Sequence, residues 1–275
     1  MVLDWNFYEE TRRQLAHSRI CYGKSPQGRE LEAYVPQGKA SYQPDFLICA
    51  GVHGDEGETT RLLCEAMLQT AAHRLSAVVI LAANPDGLRQ ATRANAAGVD
   101  INRNFPAATW KPQILLQRRQ VDRSPHVAVN HAGSHPASET ETQFLMWAVE
   151  TFAPRQIVAL HSDLNYIINP RQAPIGQWIA EQVNFPVQQR AGYPITGAMG
   201  HWTWERRIPL VTYELGRESM DVIRATHAHV VETLLRENPL APPRPPQRGT
   251  CAVAGFRASP LVEEPQPPYA FDRGR

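Results

Sequence analysis

Four short apolar runs constrain this chain more than any other feature: DFLICAGV (45–52), LSAVVILAAN (75–84), QIVALHS (156–162) and IPLVTYEL (208–215). Each has strand length and is apolar almost throughout, the pattern of a strand covered on both faces. RLLCEAMLQTAA (61–72) lies between the first two, with apolar residues at helical spacing. Helices are also expected over 4–16, 139–152, 174–183 and 218–236, the second of these opening on Ser138-x-x-Glu141, a capping-box pattern. A hairpin is expected over 22–38, turning at Ser-Pro-Gln-Gly. Strands alternating with helices indicate an α/β sandwich around a mostly parallel sheet. Functional sites in such sheets gather at the carboxyl ends of the strands. His53, His161 and Glu214 all fall at or just beyond such ends.

The 275 residues suffice for one large α/β domain with appendages. A formal charge of +1, with no basic run, gives no general attraction to nucleic acid or to an anionic membrane. Four cysteines without a C-x-x-C pair indicate a reducing compartment rather than a disulfide framework. The N-terminal residues lack the apolar core of a signal peptide, and no run approaches 18 apolar residues, so a cytoplasmic protein is expected. Residues 1–20 read as an N-terminal extension, 21–237 as the catalytic domain and 238–275 as a proline-rich tail. Within the domain, 107–136 reads as a surface insertion whose histidines are solvated. His227 and His229, two apart on a helix, do not share a face and form no second metal site.

His53-Gly-Asp-Glu56 follows the first strand directly, and its tight turn lets both side chains converge. Imidazole and carboxylate suit Zn²⁺, and three protein ligands leave a fourth position open for catalysis. H-x-x-E alone is weak evidence; His161, closing another strand at the sheet rim, offers the third ligand.

The ordered set H-G-D-E-G (53–57), N-P-D-G (84–87), R-A-N (93–95), G-V-D-I-N-R-N-F-P (98–106), S-E-T-E-T (138–142), L-H-S (160–162) and T-Y-E-L (212–215) resembles the zinc metallocarboxypeptidases, most of all their murein peptide amidase A branch. The resemblance implies a mixed, largely parallel sheet of about eight strands with helices on both faces. It also implies one Zn²⁺ per chain, held by His53, Glu56 and His161, with Glu214 as the catalytic glutamate. Asp100 is similar to the aspartate that receives the free N–H of the first ligand histidine, and Arg93 to the arginine that polarises the scissile carbonyl. Asn102 and Arg103 match the residues that bind the terminal carboxylate, and Tyr193 the tyrosine that closes over substrate. Asn84 to Gly87 is read as a structural turn shaping the loop that presents Arg93.

The implied activity is removal of a C-terminal amino acid from a small peptide, with cleavage of γ-D-glutamyl-meso-diaminopimelate in murein peptides during cell-wall turnover. Diaminopimelate carries an extra amine and carboxylate, so its pocket needs polar groups of both signs; His201, Asp163 and Arg171 are the candidates. Two other readings are an N-acyl amino acid deacylase of the succinylglutamate desuccinylase or aspartoacylase type, and an inactive murein-peptide-binding module. The full G-V-D-I-N-R-N-F with Tyr193 weighs against the first, and the complete ligand set with Glu214 against the second.

Overall fold

The buried strands are covered on both faces because successive side chains point to opposite sides of the sheet. A computed structural model describes residues 1–38, 43–113, 131–192 and 195–241. Its strands are β1 (Ser18–Lys24), β2 (Glu30–Val35), β3 (Phe46–Cys49), β4 (Val78–Ile80), β5 (Gln156–Ser162), β6 (Tyr166–Ile168), β7 (Val187–Gln188) and β8 (Leu210–Leu215). They form one eight-stranded sheet in the order β1-β2-β4-β3-β5-β8-β6-β7. The pairs β3–β4, β3–β5, β5–β8 and β6–β7 are parallel, and β1–β2, β2–β4 and β6–β8 are antiparallel. The expected mixed sheet is therefore the one that forms.

The helices are α1 (Trp5–Gln14), α2 (Gly57–Leu68), α3 (Pro85–Gln90), α4 (Thr140–Phe152), α5 (Pro174–Val183), α6 (Met199–Glu205) and α7 (Met220–Arg236). Phe46, Ile48, Val158, Leu160, Val211 and Tyr213 share a buried cluster with α2, α5 and α7. Their neighbours Leu47, Cys49, Ile157, Ala159 and Leu210 share a second cluster with α4 and α6. The period of two thus sorts the strand residues between two cores, with helices on both faces. Leu3 and Tyr8, from the expected N-terminal extension, are buried in the first cluster. No helix among the described residues is long and apolar enough to cross a membrane.

Three local expectations change. N-P-D-G is the start of α3 rather than a free turn: Asn84 Oδ1 caps the Gly87 N–H, and Pro85 takes the first helical position. Gly54 and Gly87 are there for close approach, since a β-carbon on Gly54 would lie 1.9 Å from the Gly87 carbonyl carbon. Ser138 and Glu141 do not form a capping box. Glu139 is the N-cap and makes no side-chain cap bond, Ser138 Oγ donates to Glu139, and Glu141 turns inward to the Asn95 amide. The short elements β6, β7 and α6 were not expected, because two to seven residues are too few to show a period.

His227 on α7 is buried, with its Nδ1 hydrogen-bonded to the Tyr213 hydroxyl at 2.7 Å, while His229 is exposed. Burial is the main cause that pushes the His227 imidazole down to about 4; Glu218 opposes this and His229 adds to it. An unfolded histidine titrates near about 6.5. Below that pH the unfolded state binds the extra proton, so stability is lost as pH falls from about 6.5 toward 4. His227→Gln keeps an acceptor for Tyr213 and removes the titration. It is expected to shrink the drop in melting temperature between pH 7 and pH 5, measured by thermal denaturation; an unchanged drop would show that His227 does not drive it.

Candidate metal centre

The sheet places the first pair of polar residues by register. β5 and β8 run parallel with His161 directly beside Glu214, and both residues are buried. β3 ends at Cys49, and the chain passes through Gly51, whose φ is +64°, to bring His53 and Glu56 to the same rim. Glu56 lies immediately before α2 as its N-cap.

One donor atom from each of His53, Glu56 and His161 lies within 4.8 Å of the others. His53 Nδ1 is 2.7 Å from Glu56 Oε1, and His161 Nδ1 is 3.0 Å from Glu56 Oε2. The Ser162 N–H also donates to Glu56 Oε2, at 3.3 Å, and Ser162 Oγ donates to Glu58. On the far side of the ring, His53 Nε2 donates to Asp100 Oδ1 at 3.2 Å. With one ring proton on Asp100, Nδ1 faces a second carboxylate oxygen. Two acceptors so close need a proton or a cation between them. Tetrahedral zinc bonds of about 2.0–2.2 Å put neighbouring donors about 3.3–3.6 Å apart, within the 4.8 Å spread of this set, so small side-chain adjustments let it take the ion.

Electrostatics agree with a site built for positive charge. Burial alone would raise the Glu56 carboxyl, but the His53 and His161 imidazoles override it and hold the group below the usual carboxylate range. Burial and the Arg93 guanidinium oppose protonation of His53; Glu56 and Asp100 outweigh them and push it up to about 9. His161 is lowered, chiefly by burial. Asp100 stays well below its ordinary value: burial works against this, and Arg93 and His53 prevail.

Arg93 approaches from the loop after α3. Its Nε donates to Asp100 Oδ2 at 2.9 Å, and its Nη1 is 3.6 Å from Glu56 Oε1. Asp100 therefore holds His53 with one oxygen and Arg93 with the other, while its Oδ1 also accepts the Asn102 N–H at 3.0 Å.

The comparisons with known proteins bear on this geometry. The zinc carboxypeptidase family model matches residues 9–191. The chain belongs to the zinc carboxypeptidase family. Murein peptide amidase A of Escherichia coli K12 is 34% identical over 224 residues, covering 82% of this chain and 92% of that protein. The Vibrio campbellii protein of the same name is 31% identical over 218 residues, covering 79% and 87%. The crystal structure of murein-tripeptide amidase from Escherichia coli O157 superposes with a TM-score of 0.76 at 31% identity, covering 84% of this chain and 97% of that one. Thrombin activatable fibrinolysis inhibitor, at 14% identity and a TM-score of 0.63, shares the fold.

The remaining candidates of this zinc carboxypeptidase group around α6 and the strand ends. Asn102 Oδ1 accepts the Met199 N–H at 3.0 Å, which locks the 101–103 turn to the start of α6. Arg103 is nearly buried and lies close enough to His201 to help lower its pKa, after burial as the larger cause. Thr109 Oγ1 accepts the Gly197 N–H at 3.2 Å and lies 2.7 Å from His201 Nδ1. Arg171 stacks 4.1 Å over the Trp204 ring and donates to the Trp204 carbonyl. Asp163 pairs instead with Arg217, beyond β8. The three specificity candidates are thus held by different neighbours: two at α6 and one at the β5–β8 rim. Tyr193 lies outside the described residues, as do His126 of the insertion and the tail from 242 on. Thr109 and Trp204 were not singled out from the sequence, and Asn95 stood there only as the last residue of R-A-N, without a role; a threonine or tryptophan outside a motif carries no signal until the fold supplies its partner.

Proposed function

We propose that this zinc carboxypeptidase is a murein peptide amidase that hydrolyses the γ-D-glutamyl-meso-diaminopimelate bond of small murein peptides. The observation that carries the reading is the His53–Glu56–His161 donor set, with Glu214 next to His161 in register. Likeness to murein peptide amidase A across most of both chains supports the substrate class.

His53, Glu56 and His161 would hold one zinc ion, with Asp100 fixing the His53 ring through Nε2. When bound, zinc supplies a Lewis acid that polarises a carbonyl and acidifies a water molecule. Glu214 would take a proton from the attacking water as the water oxygen bonds to the carbonyl carbon, and would pass that proton to the departing amine as the C–N bond breaks. Arg93, with Nε on Asp100, would set its guanidinium charge against the carbonyl oxygen, where negative charge develops. Asn102 and Arg103 hold the terminal carboxylate; the guanidinium fork suits that planar anion. His201, Arg171 and Asp163 provide the polar surroundings that the second amine and carboxylate of diaminopimelate require. Murein peptides returned to the cytoplasm are the proposed source of substrate.

Mass spectrometry of products from L-alanyl-γ-D-glutamyl-meso-diaminopimelate tests this. Release of free diaminopimelate is expected, with little release of leucine or phenylalanine from the matching peptides. Equal cleavage of the apolar peptides, or cleavage only of N-acyl amino acids, would overturn the substrate assignment.

A further inference from the structure

We propose that Glu141 is a positioning residue of the metal centre, acting through Asn95 on the segment that carries Arg93 and Asp100. It rests on the roles proposed above for those two residues. Asn95 lies two residues after Arg93 and five before Asp100, and it is buried. Its Oδ1 accepts the N–H groups of Ala97 and Val99, both at 3.0 Å. Its backbone N–H donates to the Val99 carbonyl at 2.9 Å, and the Gly98 N–H returns to the Asn95 carbonyl. Residues 95–99 are thus closed into one turn around a single side chain. The two Nδ2 protons are the only handle left on that side chain. One goes to Glu139 Oε2 at 2.8 Å and the other to Glu141 Oε2 at 3.1 Å, both at the start of α4.

The two carboxylates are not equivalent. Glu139 is partly exposed, so water can replace it, whereas Glu141 has no exposed surface. Losing Glu141 leaves a buried donor without a partner, and such a donor costs more than the bond itself contributes. Burial pushes the Glu141 carboxyl up to about 7; its own backbone N–H and Asn95 oppose this, and Asp86 and Glu139 add to it. Holding an ionisable group there is unfavourable, and the bond to Asn95 is what the position provides. α4 thereby anchors the turn whose two ends bear the arginine on Glu56 and the aspartate on His53.

The test uses the full chain with Glu141→Ala, Glu141→Asp and Glu141→Gln, and Glu139→Ala as control. Asp keeps the charge but stops about 1.5 Å short of Asn95; it also replaces the Ala variant should that one not fold. Gln restores an acceptor at the right distance. Hydrogen exchange over 93–100 reads the turn directly. Zinc affinity of the metal-stripped protein, by chelator competition, reads His53, and kcat and KM on the murein tripeptide read Arg93. Ala and Asp are expected to speed exchange, weaken zinc binding about tenfold, and lower kcat about tenfold with KM within about twofold. Gln and the Glu139 control should stay near wild type. Unchanged exchange and zinc affinity in Ala and Asp would overturn the role of Glu141, as would losses that Gln does not rescue. A wild-type protein that binds no zinc overturns the metal-centre reading itself. Wild-type zinc binding without tripeptide cleavage overturns only the substrate.

Discussion

Glu214→Ala is expected to lower kcat about 10³-fold while zinc binding and the melting temperature stay close to wild type. General acid–base groups contribute about 10²–10⁴ in rate, and this carboxylate is proposed to serve both the attack of water and the departure of the amine. Its place in the sheet makes the experiment clean. Glu214 sits within β8 with its backbone paired to His161 on one side and Tyr166 on the other, so the strand does not need the carboxylate to form. Steady-state rates on the tripeptide, with metal content measured on the same sample, read the result. Intact turnover in the alanine variant would remove Glu214 from the mechanism. Glu214→Gln keeps the shape without the basicity and should be as slow as alanine.

His161→Ala is expected to abolish measurable turnover, and added zinc should not restore it. The wild-type protein, stripped by a chelator, should lose activity and regain it with zinc. Zinc should also raise the wild-type melting temperature, because a ligand bound only to the folded state stabilises it by about 4 kcal/mol at a free concentration 1,000 times its dissociation constant. With one imidazole gone, two donors remain from the set, and Glu56 loses one of the two rings that hold its charge. The zinc-induced rise in melting temperature should therefore disappear or become small. A variant with the same rise as wild type would place the ion elsewhere.

The polar site and the fold were legible from the sequence to different depths. The apolar runs that became β3, β4, β5 and β8 carried the parallel centre of the sheet, because strands buried on both faces must be apolar nearly throughout. The sequence also showed that His53, His161 and Glu214 stood at strand ends. It could not show that β5 and β8 are adjacent and in the register that puts His161 beside Glu214, because pairing between residues 53 apart leaves no local trace. S-E-T-E illustrates the opposite case. It has the spacing of a capping box, yet a buried amide 46 residues earlier in the chain claims Glu141, and a partner at that distance outweighs the local preference of the helix start.

What the sequence determined by itself was which groups are present, their order, and that several end buried strands, since apolar patterning and residue type are local properties. Tertiary structure alone decided that the two imidazoles share one carboxylate, that Asp100 spans His53 and Arg93, and that α4 reaches back to Asn95. Those contacts depend on sheet order and loop packing, which are set by the burial of the whole chain rather than by any short stretch of it.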